Sequence, residues 1–349
     1  MTGPSALTPQ TATGGGGPAW YGRARDVGVR VGGLAIAIVI VIVVFTALSK
    51  PNTFLTWLNA MVILRYMSTI AIVALGLTLV IVVGEIDLSF GFMYGLAANL
   101  ISVSWIMWGW PIWAAIILAF AAAALLGAVN ALLVTRVGIP SFIVTLGTGQ
   151  LVFGLTLWVS ATATLNPAYP PAGKVVSESE VDFFFGLANQ KLPLDIPMQG
   201  LWMIGVAIVV GFVLSRSLFG FRLKAIGGNP EAARLARLPV VKYKLVAFIV
   251  CAMLASLAAM LDFAFIGSTQ PNLGQSLLFP VFAAVIIGGA SLSGGRGTAI
   301  GTLSGALLLA IIQDGLALLT VATYMQQFVQ GAVTIAAVVL DRFTARFRR

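Results

Sequence analysis

The hydrophobic positions of this chain come in long unbroken runs. Stretches without a single charge cover Val31 to Ser49, Tyr66 to Gly84, Leu88 to Thr135, Val137 to Gly173, Phe263 to Gly295 and Gly315 to Leu340. A helix needs about 20 apolar residues to cross a hydrocarbon layer about 30 Å thick, so several of these runs are long enough for two crossings. They are solidly apolar where a membrane barrel would alternate, and backbone polar groups in lipid must be satisfied within the segment, so helices are required. The pattern predicts an all-α membrane protein, a polytopic bundle of about ten transmembrane helices, some of them broken or short. The passes fall near 29–48, 58–83, 88–108, 111–135, 141–160, 200–219, 244–267, 276–291, 297–319 and 323–340.

Charge orients this bundle. With a cytoplasmic N-terminus, Lys50, Lys174 and Lys191 fall on the outer side and Arg65 falls inside the second pass. The other sixteen of the twenty Lys and Arg residues then lie on the cytoplasmic side, as the positive-inside rule requires. Both termini are therefore expected in the cytoplasm. A Gly-, Pro-, Thr- and Ala-rich stretch, 1–27, reads as a disordered tail; the membrane domain spans 28–342, and 343–349 is a basic tail. The sizeable external segment, 161–199, carries Glu178, Glu180, Asp182 and Asp195 and is longer than a connector needs. It reads as either a lid or docking surface, or an unspecialised loop.

Composition narrows the chemistry. A net charge of +9 marks a membrane face here, not a nucleic-acid partner, because the basic residues cluster at the ends of apolar runs. The chain has no histidine and one cysteine, Cys251, which excludes histidine metal ligands, histidine acid–base catalysis and an internal disulfide. No GxxxxGK[ST] pattern occurs, so ATP hydrolysis belongs to another polypeptide. No enzyme activity, metal or cofactor is expected.

The stretch Phe221 to Lys244 concentrates Arg222, Lys224, Arg234, Arg237, Lys242 and Lys244 with Glu231 between two apolar runs. Gly227-Gly228-Asn229-Pro230 reads as a turn. Pro230 suits the first position of a helix, and Glu231 to Ala236 continues it with the acid in the first turn. GGNPEAARLARLPV resembles the cytoplasmic coupling loop of permease subunits in bacterial ABC importers of the ribose, xylose and galactose type. That resemblance implies that Gly228, Asn229, Glu231, Ala232, Ala233, Arg234 and Leu235 form a short helix seated in a separate ATPase subunit. The chain departs from the pattern at Ala236-Arg237, where Ser-Gly is usual.

Further motifs carry the same resemblance from about Asn52 to the C-terminus. Gly84-Glu85-Ile86-Asp87-Leu88-Ser89-Phe90-Gly91 is similar to the GGIDLS-x-G signature of these permeases, with Glu85 in place of the second glycine. Acids near lipid are costly and are usually buried in the bundle or line water. Asp87 and Ser89 are expected to support a helix break flanked by Gly84 and Gly91, with a short cytoplasmic turn as the plain alternative. GGASLSGGRG, with Gly288, Gly289, Ser293, Gly295 and Arg296, echoes it near the other end and reads as a second break or gate. A third match, Gly127 to Asn130 with RVGIPSFIVTLGT, brings Asn130, Thr145, Thr148 and Gln150 as polar positions. With Gln270, Asn272, Gln313 and Asp314 these are the candidate pathway residues, or merely groups that bond neighbouring helices. Arg65 has no acid at helical spacing, and Asp262 is its expected partner.

The resemblance implies a permease subunit for a monosaccharide or related polyol. Its partners would be an ABC ATPase, an extracytoplasmic solute-binding protein, a second permease copy and membrane lipid. Leu278-Phe279-Pro280-Val281 stands where the sugar permeases commonly carry acids. Nucleoside, autoinducer and branched-chain amino acid solutes therefore stay open. A stand-alone channel or secondary transporter would need a chain of intramembrane acids or histidines, which this sequence lacks.

Overall fold

The computed structural model describes residues 19–190 and 192–346. The greater part of the expected N-terminal tail, Lys191 and the last three residues lie outside the described residues. Apart from one isolated bridge between Leu165 and Thr269, the described residues are helical or irregular. The helices are α1 (Ala19–Leu48), α2 (Trp57–Val82), α3 (Phe90–Ser102), α4 (Ile112–Leu132), α5 (Ser141–Ser160), α6 (Glu178–Asn189), α7 (Met198–Arg216), α8 (Leu218–Gly228), α9 (Pro230–Leu235), α10 (Val240–Ile266), α11 (Leu278–Ile287), α12 (Ala299–Leu318) and α13 (Thr323–Arg346). Part of the expected tail, from Ala19, is thus helical.

Seven of these, α2, α3 with its π-turn extension to Met107, α4, α5, α7, α10 and α12, are long and apolar enough to cross a membrane. The apolar part of α1 and the segment around α11 are shorter. Every residue of α3 is buried, whereas α4, α5 and α7 turn most of their length outward. The bundle is therefore built around α3. α10 packs on α4, α2 and α3; α12 packs on α2 and α11; α5 covers α3. Small residues allow this closeness: a Cβ on Gly127 would stand 2.6 Å from the Ile249 Cα, so α4 and α10 meet backbone to backbone.

Two elements differ from the expectation of plain helical passes. The expected turn at Gly227 and Gly228 is the end of a helix, α8, which a cluster of polar contacts fixes on its neighbours. Ser217 Oγ accepts from the Gly220 amide, Lys224 Nζ donates to the Leu214 carbonyl at 2.8 Å, and Arg222 donates to the Tyr243 hydroxyl. Partial burial lowers the Lys224 ammonium below its ordinary pKa. The external segment holds another unexpected helix, α6. Its Phe184 is fully buried edge-on against Trp105 and Phe263, and Glu180 accepts from Trp105 Nε1 at 2.8 Å.

The eighth pass, expected at 276–291, is the larger correction. Its helix, α11, has only 10 residues, about 15 Å at 1.5 Å per residue. The chain before it, built of turns, runs along α3 in the opposite direction. Thr269 Oγ1 is 3.0 Å from Ser102 Oγ, and Asn99 Nδ2 donates to the Gln270 carbonyl at 3.0 Å. The Leu273 carbonyl lies against Gly95, and the Gly274 carbonyl against Gly91. From Ser102 to Gly91 is about 16 Å of helix. Asn99 of α3 thus serves one backbone carbonyl of this irregular segment.

Candidate functional site

The three glycine motifs that lie far apart in sequence meet at one end of the bundle. α2 ends at Val82, and Gly84 follows with φ +89°. The Val82 carbonyl accepts from the Gly295 amide at 2.9 Å. A Cβ on Gly227 would stand 1.9 Å from that same carbonyl and 2.8 Å from the Gly295 nitrogen. One on Gly294 would stand 2.5 Å from the Gly227 carbonyl and 2.9 Å from the Gly84 Cα. Three backbones thus touch where no side chain fits: the exit of α2, the end of α8 and the loop between α11 and α12. Gly288 makes the same kind of contact with Gly301 of α12, and Gly289, Gly294 and Gly295 all take positive φ. Within the loop Ser291 accepts from the Gly294 amide and from the Ser293 amide, the latter through its hydroxyl. Ser293 and Arg296 are exposed.

From this junction the chain climbs into the bundle before α3 starts. The Ile86 amide donates to Ser141 Oγ at the start of α5, and Thr145 Oγ1 donates to the Ser141 carbonyl with a longer contact to the Ile86 carbonyl. Two turns further along α5, Thr148 Oγ1 donates to Asn130 Oδ1 at 2.7 Å. Asn130 Nδ2 donates to Ser89 Oγ at 2.8 Å, and Asp87 Oδ1 accepts from both the amide and the hydroxyl of Ser89. Asp87, Ser89, Asn130 and Thr148 thus form one buried chain of hydrogen bonds linking the break to α4 and α5. Ser141 to Thr148 is about 10 Å of helix, the depth to which the break rises. Asp87 Oδ2 is buried beside the Cys251 thiol. Glu85 forms an ion pair with Lys244 of α10, the one ion pair among the described residues. Gly91 lies in the first turn of α3, against Gly274 and Leu278.

On the far side of the junction α8 leads into α9. Asn229 caps it, accepting from the Ala232 amide at 2.9 Å; Pro230 occupies the first turn, with Glu231 next to it. Ala233 faces the body of the protein at 5% exposure, so it is unavailable to an outside partner. Glu231, Ala232, Arg234 and Leu235 project, Leu235 at 86% exposure. Arg237 takes φ +56° just beyond the helix. That left-handed position favours glycine, which is why the departure from Ser-Gly stands out here.

The other candidates scatter. Gln150 is exposed on α5, and Gln270 and Asn272 are exposed on the irregular segment beside α3. Gln313 is half-buried, while buried Asp314 accepts from Asn59 Nδ2 at 2.8 Å and ties α12 to the start of α2. The expected Arg65–Asp262 pair does not form. Asp262 accepts from Thr69 Oγ1 at 2.8 Å and from the Tyr94 hydroxyl, and Arg65 instead lies 4.4 Å from the centres of the Tyr66 and Phe265 rings. Two side-chain hydroxyl donors satisfy the carboxylate, and the rings hold the guanidinium. Among the described residues no group of His, Cys, Asp and Glu is arranged to hold a metal ion.

Residues missed by sequence reasoning include Lys244 as a partner of Glu85 and Gly227 as the tightest backbone contact. A signal for the first was present, since an acid replacing a glycine in a buried motif demands a cation.

Comparison with known proteins gives this arrangement a family. Residues 59–338 match the family described as "Branched-chain amino acid transport system / permease component". The ribose import permease protein RbsC of Escherichia coli (strain K12) is 34% identical over 311 residues, covering 88% of this chain and 92% of that protein. The xylose transport system permease protein XylH of the same strain is 30% identical over 360 residues, covering 89% and 91%. RbsC of Bacillus subtilis (strain 168) is 33% identical over 302 residues, covering 86% and 90%. With a helical bundle long enough in at least seven places to cross a membrane and these relatives along most of its length, the chain belongs to this permease family and is a membrane transport subunit, not an enzyme.

Proposed function

We propose that the chain is the membrane-spanning subunit of an ATP-driven ABC importer for a monosaccharide or related polyol, working with a separate ATPase, an extracytoplasmic solute-binding protein and a second permease copy. The family description names branched-chain amino acids, but the relatives matched along most of the chain are named for ribose and xylose, and this favours the sugar class. In this reading the chain makes ten passes, with 267–287 counted as one of them, and both termini are cytoplasmic. The solute-binding protein sits on the face carrying α6.

One observation carries the mechanism. A projecting helix, α9, is joined through the Gly227 junction to both interrupted segments of the bundle, the break before α3 and the loop after α11. A push on α9 by closing ATPase domains has no slack to take up at that junction, because backbones in contact there cannot slide independently. The push therefore moves the exit of α2 and the Asp87–Ser89 break, and the hydrogen bonds of Asn130 and Thr148 pass it to α4 and α5. ATP shifts the balance of outward- and inward-open states only as far as the ATPase binds them differently. Gln270 and Asn272, exposed on the irregular segment before α11, are the amides best placed to meet a solute hydroxyl.

Leu235→Glu tests this. It places charge on a side chain that touches little of its own chain, so the permease should still fold, while ATPase co-purification and solute-stimulated ATP hydrolysis should be lost. Ala233→Glu is unsuitable, since Ala233 packs inward. Wild-type ATPase binding and transport in Leu235→Glu, with Ser177→Glu as a distant control, would sink the coupling role of α9.

A further inference from the structure

At the end of the bundle opposite the glycine junction, a crevice of about 260 Å³ opens between α2, the end of α6 and the start of α7. Two of its lining groups are unspent. Gln199, in the first turn of α7, is 1% exposed, and neither its amide nitrogen nor its oxygen has a hydrogen-bond partner. Arg65 reaches up α2 to the level of Phe265, at the end of α10. Its guanidinium lies over two aromatic rings, and among the described residues it makes no ion pair and donates no hydrogen bond. Buried amides are normally satisfied, and a planar cation fixed by rings with its N–H fork free suits bidentate binding of a phosphate or carboxylate. The two observations are independent, and both residues line the same crevice.

The rest of the lining selects among anions. Leu58, Met61 and Val62 make one wall apolar, and Leu58 is among the exposed hydrophobic residues of α2. Trp57, one residue earlier, is exposed and donates through Nε1 to the Leu194 carbonyl at 2.7 Å, the placement of an interfacial tryptophan. Asp195 supplies an exposed carboxylate at the mouth. The volume falls just under the roughly 300 Å³ at which sites for drug-sized ligands begin, so it suits a headgroup and not a whole lipid.

We propose that this crevice holds the headgroup of a zwitterionic phospholipid: the phosphodiester on Arg65 and the Gln199 amide, the ammonium on Asp195, and the acyl chains along Leu58, Met61 and Val62. The proposal needs only that α2 spans the bilayer, and stands apart from the coupling role of α9. Native mass spectrometry of the full chain, purified in mild detergent and titrated with phosphatidylethanolamine and phosphatidylglycerol, tests it. Wild type and Lys50→Gln should retain one phosphatidylethanolamine per chain. Arg65→Gln and Gln199→Leu should each weaken that retention by roughly tenfold or more, as expected for loss of one charge-assisted or buried hydrogen-bonded contact. Asp195→Asn should bind the two lipids alike. Wild-type retention in both Arg65→Gln and Gln199→Leu overturns the site, as does preference of the wild type for phosphatidylglycerol. Release of the lipid by millimolar inorganic phosphate would mark a site for free anions and overturn the lipid assignment. Should Arg65→Gln fail to purify, Gln199→Leu decides alone.

Discussion

Single residues in this bundle show how a local departure is absorbed by a distant partner. Glu85 would be an unpaired acid at the end of a membrane helix without Lys244, 159 positions away in sequence. Both side chains are largely buried, at 13% and 14% exposure, so the pair is not a surface bridge of negligible worth. Removing one member strands the other, whereas removing both leaves an apolar contact. Glu85→Gly should therefore destabilise the protein by roughly 1–3 kcal/mol, the cost of an unsatisfied buried polar group. Glu85→Gly with Lys244→Met should recover most of that loss. Thermal unfolding in detergent measures both; equal losses in the single and double variants would mean that the pair does not hold the helix exit. The motif containing Glu85 was legible in the sequence, but its partner was not, because sequence spacing carries no information about which helix packs beside which.

At the scale of elements, the apolar runs located each of the membrane helices, since length and composition alone decide what is stable in lipid. They misjudged the elements whose stability comes from tertiary contacts. α6 and α8 were read as loop because their composition is mixed, and what fixes them is Phe184 under Trp105 and the Lys224 and Arg222 hydrogen bonds. The eighth pass was read as one helix over 276–291 because that stretch is apolar, whereas α11 spans only Leu278–Ile287 and the chain before it leans on Asn99 and Ser102 of α3. The glycine motifs were visible as motifs, yet not as one junction. That junction makes a sharp prediction from two adjacent residues. Gly227→Ala puts a methyl 1.9 Å from the Val82 carbonyl, while Gly228→Ala meets nothing within 4 Å. Gly227→Ala should cost at least about 1–3 kcal/mol, as overpacking does, and abolish transport. Gly228→Ala should change stability by no more than about 0.5 kcal/mol. Similar thermal stability for the two variants would show that the three backbones do not meet as described.

For the whole molecule, sidedness depends on whether 267–287 crosses the membrane. As an irregular segment followed by α11, it brings the following loop to the glycine junction, beside Gly227 and on the same face as α9. If it only dipped in and returned, that loop would emerge on the α6 face and the C-terminus would change sides, undoing the charge asymmetry that sixteen basic residues create. Three exposed positions distinguish these outcomes: Ser177 before α6, Glu231 in α9, and Ser293 after α11. In a Cys251→Ser background, single cysteines at Glu231 and Ser293 should react with a membrane-impermeant maleimide only in inverted vesicles. A cysteine at Ser177 should react only in intact cells. Labelling of Ser293 together with Ser177 would remove the tenth crossing and with it the cytoplasmic C-terminus. It would also part the loop after α11 from the coupling helix, and a displacement of α9 would then have no route to the half-length helix that packs on α2 and α12.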